Sequence, residues 1–242
     1  MANDPNARAA AAARAGVSVE HIDEGLRAYM LSIYNYMGLG LAITGLVAFV
    51  VASTPALYQP IFGTPLKWVV MLAPLGFVFA LSFGIQRFSV STAQLLFWVY
   101  AAVMGLSLAS IFLVFTGESI ARTFFITAAA FGALSLYGYT TKRDLSAFGS
   151  FLVMGLFGLV IAMLVNLFLQ SSALQFVVSV LGVFIFAGLT AWDTQQLKNL
   201  YFEVQNDATA TAKSAIMGAL KLYLDFINLF VFLLHFLGQA RE

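Results

Sequence analysis

Residues 215–238 read AIMGALKLYLDFINLFVFLLHFLG, a bilayer-length run with an aspartate, Asp225, near its middle. A hydrocarbon core about 30 Å thick takes about 20 apolar residues as a helix, so the run reads as a membrane span. Its polar residues Lys221, Asp225, Asn228 and His235 stand at offsets 0, 4, 7 and 14. Those spacings share one face of an α-helix, and Gly218 and Ser214 extend the stripe backwards. A carboxylate facing lipid costs about 2.5–3.5 kcal/mol on insertion scales. The stripe must therefore turn towards other helices or a water-filled cavity. That expectation makes this helix central, with the rest of the chain around it.

Of the 242 residues, 61% are hydrophobic and 10% charged, too few charges to build a soluble surface. Six more segments reach spanning length: 29–51, 68–86, 92–115, 120–140, 148–169 and 174–196. Pro74 predicts a kink in the second. None alternates apolar and polar residues as a barrel strand does. The expected fold is an all-α membrane protein of seven transmembrane helices, the last surrounded by the other six. Residues 1–28 form a cytoplasmic N-terminal tail, 29–238 the transmembrane domain and 239–242 a C-terminal tail. The tail's ARAAAAARAG, 7–16, lacks the leucine-type core of a secretory signal. Residues 197–214 read as a solvated polar loop.

Basic residues set the orientation. With the N-terminus inside, the inner side carries Arg8, Arg14, Arg27, Arg87, Lys142, Arg143, Lys198 and Lys213, and the outer side Lys67, Arg122 and Arg241. Glu118 and Arg122 read as a local surface pair at the outer end of the fourth span. Gly38, Gly40, Gly45, Gly155 and Gly158 sit at spacings that suit close helix packing. A net charge of +1 argues against nucleic-acid binding. Without cysteine, and with only His21 and His235 far apart, no thiolate or zinc site is expected, and no cofactor.

The acid that can meet Asp225 is Asp193, in GLTAWDTQQLK, 188–198, at the inner end of the sixth span. The two meet if that helix runs a turn or more beyond residue 196. Two carboxylates in a low-dielectric site share one proton. Protonated, the pair bridges two helices; deprotonated, it repels itself and attracts a hard cation such as calcium, which prefers oxygen ligands. Two other readings stay open here. Lys221, four residues before Asp225, suits an intrahelical ion pair, and Asp193 suits an interfacial role or a pairing with Lys198.

GLTAWDTQQLK followed by ALKLYLDFINLF, 219–230, resembles the Bax inhibitor-1 family, also called the transmembrane Bax-inhibitor-motif family. YGYTTKRDLSAFGSFLVMGLFGL, 137–159, resembles its bacterial members, and the resemblance covers roughly 25–238. It implies a seven-helix bundle around the last helix and a pH-sensitive calcium leak. It also implies a hydrogen-bonded latch formed by Asp193 and Asp225, which double as calcium ligands. It implies an arginine near the end of the second span; in SFGIQRFS, 82–89, Gln86 falls at that place and Arg87 one step on, turned by about 100°. Arg87, Lys221 and Asn228 are the candidate latch modulators. The implied location is a bacterial inner membrane. Some bacterial members are linked to a membrane-bound protease, so a non-transporting partner of another membrane protein is the alternative function.

An enzyme is not expected. Presenilin-like proteases also place two aspartates on consecutive helices, but they carry GxGD at the second, where this chain reads KLYLD. The PAL they carry later occurs here only in TPAL, 54–57, far too early. A retinal protein also has a lysine in its last helix, but here Lys221 precedes the acid.

Overall fold

A computed structural model describes residues 19–241, with side chains from residue 23 onward. The described residues form eight helices in chain order: α1 Val19–Ser53, α2 Pro55–Phe62, α3 Leu66–Gly84, α4 Val90–Val114, α5 Gly117–Thr140, α6 Ser146–Leu169, α7 Ser172–Val204 and α8 Ala208–Leu237. All but α2 are long and apolar enough to cross a membrane. Their surface is inverted relative to a soluble protein: Phe168 is 85% exposed and Phe83 80%. The chain is a multi-pass integral membrane protein with an all-α fold, and α7 and α8 are the sixth and seventh spans.

Several boundaries differ from the sequence reading. Helix α1 begins at Val19 rather than Tyr29, because the charged stretch EHIDEGLR continues the helix beyond the apolar run. The earlier part of the expected tail lies outside the described residues. The expected loop 197–214 is mostly helix: α7 runs to Val204 and α8 starts at Ala208. Tyr201 is buried there, and a Cβ on Gly25 of α1 would fall 2.0 Å from its hydroxyl. Lys198 and Tyr201 are buried in that polar stretch, while Glu203 and residues 206–209 are exposed. Helix α3 continues through Pro74.

The chain divides into two compact units. One comprises Tyr29–Gly117 and Asp207–Tyr223, with residues 239–241. A buried polar link fixes its interior. Thr44 Oγ1 donates to Ala101 O at 2.8 Å, so Tyr223 Oη must be the donor in its 2.6 Å bond to Thr44. Phe97 and Tyr100 pack edge-on against the Tyr223 ring. Arg87 belongs to this unit and is exposed in the turn after α3, its N–H donating to Gly84 O.

The other unit comprises Glu118–Asn206 and Leu224–Gly238, with the described residues up to Ala28. Leu152 and Leu159 of α6, Val178, Phe186 and Leu189 of α7, and Leu229 and Phe232 of α8 form its core. Two glycines bring α7 close to its neighbours. A Cβ on Gly138 would fall 2.0 Å from Ala191 O, and one on Gly149 2.2 Å from the Trp192 ring. The glycines expected to pack closely do so less: Gly38, Gly45 and Gly158 face open space, Gly40 approaches Phe97 and Gly155 meets Ile185 in ordinary contact. Spacing alone marks small residues but not what lies opposite them.

Candidate functional site

Asp193 and Asp225 both lie in the second unit, and both are buried, at 3% and 5% exposure. Helix α8 carries Asp225, and two thirds (67%) of its most apolar stretch is buried, against 11–33% for the other spans. Helix α7 carries Asp193 one residue after Trp192 and two after Ala191, the residues seated against Gly149 and Gly138.

The relative height of the two acids follows from ring contacts. Phe186 of α7 stacks on Phe232 of α8 with centroids 5.8 Å apart and planes at 25°. The two helices run antiparallel through the short turn after Val204. Counting inward from the stack, Asp193 is seven residues along α7 (193 − 186) and Asp225 seven along α8 (232 − 225). Seven residues rise about 10 Å and fall about 20° short of two full turns. Each aspartate therefore lies about 10 Å from its phenylalanine on nearly the same face, which puts the two acids at matched heights.

Helix α5 supplies a second measure. Ser135 Oγ lies 2.9 Å from Thr194 Oγ1, and the Phe131 ring lies 5.5 Å from the Phe226 ring. Ser135 and Phe131 are four residues apart, about 6 Å of rise. Thr194 lies one step inward of Asp193, and Phe226 one step outward of Asp225. A single turn of α5 thus brackets both acids. The inward extension of the sixth span that the pairing required is present, since α7 continues to Val204.

Of the proposed modulators, Asn228 is half-buried in the same unit and donates from Nδ2 to Leu224 O at 2.8 Å. Lys221 is half-buried one turn before Asp225, and falls with Arg87 in the first unit. Glu118 and Arg122 are not the expected pair: Arg122 Nη2 reaches Leu237 O at 3.4 Å, where a cation suits the C-terminal end of α8.

Sequence reasoning missed the buried side chains just inward of Asp193. Lys198, counted as an inner-face charge, is 2% exposed. Its Nζ donates to Tyr139 O in the last turn of α5 and lies over the Tyr139 ring. Gln195 donates to Arg143 O at 2.8 Å and accepts from Leu145 N–H at 2.9 Å, pinning the backbone of the α5–α6 turn. In that turn Asp144 accepts from Ser146 N–H, and hydrogen bonds from the Ser146 side chain and backbone hold its carboxyl below the usual range. The signal was available: Thr190, Thr194 and Lys198 recur at intervals of four, one face of a continuing helix. Lys198→Met leaves Tyr139 O without its charged donor. It is expected to cost about 1.5–3 kcal/mol, the worth of a hydrogen bond to a charged group. Thermal unfolding in detergent measures it.

The family model described as inhibitor of apoptosis-promoting Bax1 matches residues 26–242. The chain belongs to the Bax inhibitor family. It is 52% identical over 220 residues to the uncharacterized protein RP147 of Rickettsia prowazekii, covering 91% of this chain and 93% of that one. It is 48% identical over 219 residues to the inner membrane protein YbhL of Escherichia coli K12, covering 90% and 94%. A Caulobacter vibrioides protein is 48% identical over 245 residues, covering 98% and 97%. The match therefore runs through both aspartates and the whole set of spans.

Proposed function

We propose that this membrane protein is a pH-sensitive cation leak, with calcium as the transported ion, gated by Asp193 and Asp225 as a proton-sharing pair. The observation that carries the reading is their equal height, buried on antiparallel α7 and α8 at seven residues each from the Phe186–Phe232 stack. Two carboxyls facing one another in a dry bundle hold one proton between them, and that proton bridges the helices. Loss of the proton leaves two like charges, which part the helices and offer oxygen ligands to a hard cation. The pair conducts rather than cleaves. The bacterial cell membrane suits the protein, given the likeness to YbhL.

The test is calcium entry into liposomes that enclose a calcium dye and carry the purified protein. Entry should rise with pH as the shared proton leaves. A one-proton gate changes by at most about tenfold per pH unit. Absence of entry at every pH removes the leak and leaves the non-transporting partner of another membrane protein as the reading.

A further inference from the structure

The buried face of α5 changes character along its length. Ser119, Thr123 and Thr127 recur at intervals of four, and all are buried, the two threonines completely. The next position in the row is Phe131, and the one after it is Ser135. Residues four apart form one ridge of a helix. With the N-terminus inside, α5 runs inward, so the ridge reads hydroxyl, ring, hydroxyl from the outer end. Ser135 belongs to the level of the two acids. Thr194 Oγ1 donates to Thr190 O at 2.8 Å, so Ser135 is the donor in its 2.9 Å bond to Thr194, the residue after Asp193.

The ring in this row closes on α8. Phe226, one step outward of Asp225, is 3% exposed, and Phe131 is buried with it. Their centroids lie 5.5 Å apart with planes at 66°. Phe124, two turns further out on α5, meets the same Phe226 ring at 5.5 Å and 63°. Phe226 is thus held edge-on by two rings of α5, directly outward of the carboxyl level.

Beyond the rings the ridge turns polar again. Thr127 Oγ1 donates to Thr123 O at 2.8 Å. Thr123 Oγ1 has no hydrogen-bond partner among the described residues, although it is fully buried. Buried hydroxyls are nearly always partnered, by protein or by water. Packing alone does not call for a hydroxyl at Thr123, since valine fills the same shape without a polar atom.

We propose that Phe131 and Phe226 form a hydrophobic gate on the outer side of the aspartate pair, and that the Thr123–Thr127 ridge is the stretch wetted from outside. This rests on the leak reading and adds a second barrier to it. An apolar constriction excludes water and hydrated cations until it widens. When the shared proton leaves and α7 and α8 part, Phe226 moves with its neighbour Asp225, away from Phe131 on α5. Water then joins the hydroxyls on the two sides of the rings, and Thr123 Oγ1 finds its partner in that water.

The experiment measures calcium entry into liposomes carrying the full-length protein, at a pH low enough to close the parent. Burial of one such ring weighs about tenfold or more in an equilibrium, so Phe226→Ala and Phe131→Ala should each raise closed-state entry by about that factor. Phe232→Ala removes a comparably buried ring of α8 outside the gate, and should leave closed-state entry as in the parent. Parent entry at high pH reports on the leak itself. If the parent conducts there and both ring variants stay closed at low pH, the gate is overturned. It is overturned equally if Phe232→Ala opens as far as they do. A second readout needs no leak. The chain has no cysteine, so Thr127→Cys and Ser135→Cys each give a single thiol. A membrane-impermeant thiol reagent is added to the outer face of spheroplasts. Thr127→Cys should react about tenfold or more faster than Ser135→Cys, and Phe226→Ala should remove the difference. Equal rates with the rings intact, or a difference that survives Phe226→Ala, overturn the gate. Where the parent shows no calcium entry, the leak reading falls and these rates alone decide the gate. Where neither ring variant folds, the two rates with the rings intact decide.

Discussion

Asp225→Asn is expected to abolish the pH dependence of calcium entry, and Asp193→Asn to do the same. Either amide removes one of the two carboxyls between which the proton is held, so no like-charge pair forms at any pH. Entry should become flat across the range in which the parent changes by up to about tenfold per pH unit. The double variant should behave like each single one, because residues that act as a unit are not additive. Two singles that titrate like the parent would defeat the latch. Thermal stability separates the competing partner of Asp225. A protonated or proton-sharing carboxyl loses little when replaced by an isosteric amide. If Asp225 were instead the ionised partner of Lys221 one turn away, removing either member would strand a buried charge, at about 3–5 kcal/mol. Asp225→Asn and Lys221→Met would then lower stability alike.

The span count was legible because lipid removes ambiguity. A backbone in hydrocarbon must satisfy its own hydrogen bonds, so a long apolar run has one solution. Asp225 was legible for the related reason that a charge at that depth needs a protein partner. The inner ends of the helices were not. Polar residues such as Gln195, Lys198 and Tyr201 mark the membrane boundary by composition, yet they are buried against α1, α5 and the α5–α6 turn. Hydropathy reads the solvent a segment avoids, not the neighbour it touches. The same gap explains Arg122, whose partner is a carbonyl of Leu237, 115 residues away, rather than Glu118 on its own helix. It also explains why the level of Asp193 against Asp225 had to come from the rings, since the Phe186–Phe232 stack is a tertiary fact.

Gly138→Ala is expected to be the most damaging small substitution in the chain. Its new methyl would lie 2.0 Å from Ala191 O and 2.8 Å from the carbonyl carbon, both backbone atoms of α7 that cannot rotate aside. The helices must separate instead. Overpacking of this kind costs about 1–3 kcal/mol, and the rigid neighbour puts Gly138 at the upper end. That corresponds to a fall of roughly 2–4 °C in unfolding temperature per kcal/mol for a chain of this size. Gly149→Ala meets the Trp192 ring at 2.2 Å, a side chain that can swing, so its loss should be smaller. Gly158→Ala meets nothing within 4 Å and should be neutral or slightly stabilising, because alanine is the better helix former. The order Gly138, Gly149, Gly158 is the measurement, made by thermal unfolding in one detergent. A fold-level role alone would end there. Ala191 is two residues before Asp193, however, so a displaced α7 carries the carboxyl away from the level of Asp225. Gly138→Ala should therefore flatten the pH response of calcium entry as well, at temperatures well below its own unfolding. Gly149→Ala should flatten it less, and Gly158→Ala should leave it as in the parent. A Gly138→Ala protein that is destabilised yet keeps the full pH response would mean that the position of α7 does not set the gate.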